Sequence, residues 1–139
     1  MNHMKKILIA FVALVLLFPS AYAQKKGAKN YVVGFYNLEN LFDTYNDPAK
    51  NDEEFLPEGK NKWTDVKYQK KLTNMAKVIK SMKEANGAWH ALLGVSEIEN
   101  RLVLEDLVMD PQIAEANYQI VHYDGPDRRG VDVALLYNP

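Results

Sequence analysis

Asn37, Glu39 and Glu97 are polar residues with chemistry to offer, and each stands at the end of an apolar run. Asn37 and Glu39 follow Tyr31-Val32-Val33-Gly34-Phe35-Tyr36, and Glu97 follows Ala91-Leu92-Leu93-Gly94-Val95-Ser96. Short runs of this composition read as strands, the second buried on both faces. A carboxylate where such a strand leaves the core is placed to hold a metal or a water. Alternation sets Asn37 and Glu39 on one side of the backbone and Leu38 on the other. If the two strands are parallel neighbours, Asn37, Glu39 and Glu97 converge on one patch of oxygen atoms. That patch suits a hard divalent cation such as Mg²⁺, which takes one or two carboxylates and fills its shell with water and phosphate.

The elements between these strands are legible. Thr64 or Asp65 opens a helix by capping its first amides. Leu72, Met75, Ala76, Ile79 and Met82 recur at helical spacing as its buried stripe, and Asn86-Gly87 ends it. Its lysines, among them Lys67, Lys70, Lys71 and Lys77, read as a solvated face. Strand, helix, strand in one direction makes a parallel pair. Glu99 to Met109 reads as a short helix capped by Glu99 and Asn100 and stopped at Asp110-Pro111. Tyr118 to Tyr123 and Val131 to Tyr137, joined by the turn-forming Asp124 to Gly130, read as an antiparallel hairpin. From Asp43 to Asn61 the chain is acidic and turn-rich. Its acids lack the alternate spacing and central glycine of a calcium-binding loop, so it reads as a solvated surface loop.

The 139 residues contain no cysteine and carry a formal net charge of −1. Lys5 and Lys6 precede the apolar run Ile7 to Phe18, and Ala21-Tyr22-Ala23 supplies the small residues that a signal peptidase reads. Residues 1–23 are therefore expected to be a signal peptide, 24–30 a linker and 31–139 the domain. The run is too short to span a bilayer comfortably, so no stable membrane anchor is expected. Removal of Lys5 and Lys6 leaves 15 basic against 18 acidic side chains, which excludes a broad basic nucleic-acid surface. An exported chain without disulfides must rely on its packed core. No protein partner is indicated.

Tyr36-Asn37-Leu38-Glu39-Asn40-Leu41-Phe42-Asp43, Leu93-Gly94-Val95-Ser96-Glu97-Ile98-Glu99-Asn100 and Asp127-Arg128-Arg129-Gly130-Val131-Asp132-Val133-Ala134-Leu135-Leu136-Tyr137 resemble, in order, the first three motif blocks of the endonuclease/exonuclease/phosphatase superfamily. The resemblance implies an α/β fold, part of a four-layered DNase I-like α/β sandwich, that cleaves phosphate esters with Mg²⁺ or Mn²⁺. It assigns Glu97 as principal metal ligand, Asn37 to phosphate and metal, Glu39 as a second acid near the ion, and Arg129 to a phosphate contact. Arginine offers the planar donor pair that phosphate accepts.

The resemblance also implies an Asp-x-Asn pair, a further aspartate and a final histidine in a second half. None follows Gly130 here, and the chain leaves its last strand without a covering element. The expectation is an N-terminal portion, inactive alone, of an exported nuclease. A sphingomyelinase-like or inositol-phosphatase-like phosphoesterase and a non-enzymatic exported α/β binding module are the alternatives. His90 and His122 match no position of the final histidine and read as structural. Without the ordered blocks, Asn37 and Glu97 would pass for a turn asparagine and a solvated glutamate.

Overall fold

The computed structural model describes residues 30–139; the expected signal peptide and nearly all of the expected linker lie outside them. Strands β1 (Val32–Leu41) and β2 (His90–Ile98) are parallel neighbours, joined through helix α1 (Asp65–Asn86). Helix α2 (Arg101–Val108) follows, then strands β3 (Gln119–His122) and β4 (Asp132–Tyr137). The last two form the expected antiparallel hairpin, and β4 also pairs antiparallel with β2, giving the order β1-β2-β4-β3. The apolar run of β2 has partners on both edges and occupies the middle of the sheet.

One face of the sheet is covered by the helices. Leu72, Ala76 and Ile79 of α1 and Val103, Leu104 and Leu107 of α2 join Leu93, Val95 and Leu136 in one core. A fully buried Leu or Ile is worth about 1.5–3 kcal/mol over leaving it in water. Tyr68 extends the α1 stripe and donates its hydroxyl to Asp106 Oδ2 at 2.7 Å, whereas Met82 is only half-buried. The opposite face is uncovered among the described residues: Val33, Phe35 and Val133 are 67 %, 68 % and 69 % exposed.

Some local expectations change. Thr64 stands at the cap position of α1, but its hydroxyl makes no capping bond; Asp65, Val66 and Lys67 are exposed, so water can satisfy the first-turn amides. Gly87 closes α1 in the left-handed conformation (φ 74°) as expected. Helix α2 begins later than Glu99: Asn100 alone caps it, its side chain accepting the Val103 amide at 3.1 Å. Glu99 turns the other way and accepts the Asp43 amide at 2.8 Å.

The acidic segment is not a wholly solvated loop. Asp43 and Asp52 are 5 % and 1 % exposed. Phe55 stacks on Phe42 with ring centroids 4.0 Å apart and meets Trp63 edge-on, which draws the loop onto the body of the domain. Asn51 donates its amide to the Arg128 carbonyl at 2.8 Å, which ties this loop to the β3–β4 connection.

Candidate active site

The two strand ends that carry the candidate residues both break their pleat. In the register of β1 and β2, Asn37 faces Ser96 and Leu41 faces Ile98, so Leu38, Glu39 and Asn40 lie opposite Glu97 alone. On the other edge Ser96 faces Val133 and Ile98 faces Asp132, so Glu97 has no counterpart on β4. Glu97 is the extra residue of a bulge, the device by which a strand re-aims one side chain. Its φ is 57°, and those of Glu39 and Asn40 are 49° and 58°. Left-handed backbone costs a non-glycine residue about 1–2 kcal/mol, so neighbouring contacts must hold all three.

Those contacts are on both sides of the turn. Asn37 Oδ1 accepts the Glu39 amide at 2.7 Å, and Asn37 Nδ2 donates to Glu97 Oε1 at 3.0 Å. One amide group thus fixes the left-handed turn of β1 and the carboxylate of β2 together. From α1, Lys71 Nζ donates to the carbonyls of Glu39 and of Asn40, the latter at 3.0 Å. Lys71 also lies over the Trp63 ring, 5.5 Å from its centroid, and Trp63 Nε1 donates to the Phe42 carbonyl at 2.9 Å. Burial lowers the pKa of the Lys71 ammonium, while Glu39 and Glu97 nearby act to raise it. Lys71 is therefore part of the site's framework, which its place among the α1 lysines concealed.

Glu97 and Ser96 line an open cleft of about 360 Å³ whose other walls are Tyr123, Gly125, Pro126 and Val131 to Val133. The connection between β3 and β4 that forms this wall is pinned from within. His122 Nε2 and Asp132 Oδ2 are 3.1 Å apart, and Asp132 Oδ1 accepts the Gly125 amide at 2.7 Å. Lys50 Nζ reaches the Gly125 and Asp127 carbonyls, each at 3.5 Å.

Asn37 thus meets Glu97 through its nitrogen and Glu39 through that residue's backbone amide, rather than adding its oxygen to a shared patch, and Glu97 stands half-buried on the cleft wall. Arg129 is not among the cleft-lining residues. It is exposed on the connection, its Nε 3.5 Å from Asp127 Oδ1, and its amide donates to the same oxygen at 2.8 Å. His90 is buried, which lowers its pKa, and its ring lies where a Cβ on Gly34 would fall. Ser96 and Asp132 are the cleft residues that sequence reasoning missed; Asp132 lies inside a motif block already singled out.

The Glu97 carboxylate fits a hard divalent ion, since it is fixed by a neutral amide, opens onto a cleft with room for water and a phosphate, and shares the neighbourhood of Lys71 with the Glu39 carboxylate. Two residues further on, burial pushes the Glu99 carboxyl up to about 8. Asp43, Asp52 and Asp47 add to the rise, and the hydrogen bond from the Asp43 amide opposes it.

A family model described as Endonuclease/Exonuclease/phosphatase family matches residues 32–139. Members of that family are phosphoesterase-type hydrolases that act on phosphodiester or phosphate substrates and typically use a divalent metal. No curated protein and no solved structure matches the chain. The match spans both strand ends, the cleft and the connection that walls it, and the chain belongs to the endonuclease/exonuclease/phosphatase family.

Proposed function

We propose that this chain is the Glu97-bearing portion of an exported, Mg²⁺- or Mn²⁺-dependent phosphodiesterase, and that its substrate is a nucleic acid. The observation that carries the reading is the amide of Asn37, which holds Glu97 at a left-handed bulge beside an open cleft. Strain concentrated at a fixed carboxylate is the signature of a preorganised site. In this reading Glu97 is the principal ligand of the ion, Glu39 a second acid beside it, and Asn37 the group that orients Glu97 and fixes the turn carrying Glu39. Arg129, freed from Asp127, is the phosphate contact on the rim. A bound ion supplies charge stabilisation at the phosphoryl oxygens and acidifies its water.

The uncovered apolar face supports the view that further chain packs on the sheet in the complete enzyme. Val33, Phe35 and Val133 form a surface that a finished domain would cover. The general base and the remaining metal ligands then lie on that further chain, and residues 31–139 alone have negligible activity. Export rests on the run Ile7 to Phe18 and on Ala21 and Ala23, and the mature chain then begins at Gln24.

The test is calorimetric titration of Mg²⁺ and Mn²⁺ into the chain and into Glu97→Ala, followed by assays of the full gene product. Binding by the wild type that Glu97→Ala loses supports the reading. A folded wild type that binds no divalent ion removes it and leaves the binding module. Cleavage of plasmid DNA identifies the nuclease, and cleavage of sphingomyelin or inositol phosphates instead identifies the other phosphoesterases.

A further inference from the structure

The group formed by His122, Asp124 and Asp132 does more than a turn requires. His122 pairs with Ala134, so Asp132, two residues back along β4, lies diagonal to it on the same face of the sheet. The side chains of His122 and Asp132 are only 4 % and 2 % exposed, whereas Asp124 is exposed. A carboxylate this deep needs a compensating positive charge or strong hydrogen bonds. Among the described residues no lysine or arginine pairs with it; His122 is its ionisable partner.

One ligand atom from each of the three residues lies within 4.8 Å of the others. First-row divalent ions bind imidazole nitrogen and carboxylate oxygen at about 2.0–2.2 Å, so two donors on one such ion are about 3–4 Å apart. The 3.1 Å between His122 Nε2 and Asp132 Oδ2 falls in that range. The outer contact that steadies a metal carboxylate is also in place, since Asp132 Oδ1 already takes the Gly125 amide at 2.7 Å. A Cβ on Gly125 would stand 2.6 Å from that oxygen, so the approach requires glycine.

We propose that His122, Asp124 and Asp132 bind a first-row divalent ion of the Zn²⁺ type, at a site separate from the oxygen donors at Glu97. The nitrogen donor decides the class: imidazole suits zinc and its neighbours, whereas Mg²⁺ takes oxygen. Three protein ligands leave a fourth position open. Bound there, the ion fastens β3, β4 and their connection, and so fixes the wall of the cleft that Asp132 shares with Glu97. The site does not depend on the hydrolase reading.

The experiment is ¹⁵N NMR of the full chain labelled at histidine, titrated with Zn²⁺ alone; the other histidines, His3 and His90, are internal controls. The expected result is a shift of the His122 Nε2 resonance with His90 unmoved. Asp124→Asn, on an exposed side chain that leaves folding intact, should weaken zinc binding by about tenfold or more. Glu97→Gln should leave it unchanged. A His122 resonance unmoved at millimolar zinc, or equal affinity in the wild type and Asp124→Asn, would reduce the trio to a hydrogen-bonded latch and overturn the site. Loss of zinc binding in Glu97→Gln would overturn it too, by placing the ion at Glu97.

Discussion

Glu97 and Glu99 are two residues apart at the end of one strand, yet they live in opposite surroundings. Glu97 is half-buried on an open cleft, with one neutral donor and a left-handed backbone. Glu99 is 6 % exposed and bound to the Asp43 amide, among Asp43, Asp47 and Asp52. In a regular strand, residues i and i+2 share a face. The bulge at Glu97 breaks that rule, so one carboxylate goes to the cleft and the other to the loop. The difference separates an acid kept accessible at a cost in backbone strain from acids that fasten a loop and are withdrawn from solvent.

The sharpest way to break the comparison is in the buried group. Asp43 accepts the Tyr45 amide at 2.7 Å and the Asn100 side chain at 2.9 Å. Asp43→Ala should lower stability by about 2–3 kcal/mol, because hydrogen bonds to a charged group are worth about 1.5–3 kcal/mol each and their loss is softened by relaxation. Chemical denaturation checks this; a loss below 0.5 kcal/mol would mean the loop is not fastened there. Lys71→Met comes next. It keeps the apolar stem and removes the bonds to the Glu39 and Asn40 carbonyls, for an expected loss of about 1–2 kcal/mol. Hydrogen exchange should quicken at residues 39–42 before it does elsewhere.

At Glu97 the expectation reverses. Glu97→Gly and Glu97→Ala should both lose Mg²⁺ binding, but Glu97→Gly should be the more stable of the two by about 1 kcal/mol, since glycine accepts φ 57° without penalty. Equal stabilities would show that the bulge relaxes once the carboxylate is gone. The smallest effect belongs to His90, away from both acid groups. Burial lowers its pKa, so the unfolded chain takes up a proton that the folded chain resists. Its contribution to stability is complete well above the ordinary histidine value and declines as pH falls through it. A stability profile between pH 8 and pH 5 should flatten in His90→Asn, and an unchanged slope would assign the effect to other groups.

The sequence by itself determined most of the frame. Short apolar and β-branched runs produced β1, β2 and the β3–β4 hairpin, helical spacing produced α1, and the order strand, helix, strand required the parallel pair. The apolar run of β2 implies burial on both faces, but Leu92 is exposed on one. The sequence also brought Asn37 and Glu97 into contact, because both lie near the C-terminal ends of strands that the topology makes neighbours. Only the tertiary structure decided what these residues do to one another. Left-handed backbone at Glu97 has no local signature; the bond from Asn37 on the neighbouring strand holds its carboxylate, and Lys71 from α1 binds the carbonyls of Glu39 and Asn40. Burial of Asp43 and Asp52 was invisible for the same reason, since an acidic segment looks solvated until Phe55 is seen on Phe42. Periodicity reports which face of an element meets the core, while the fate of a polar side chain depends on partners distant in the chain, and those exist only once the chain has folded.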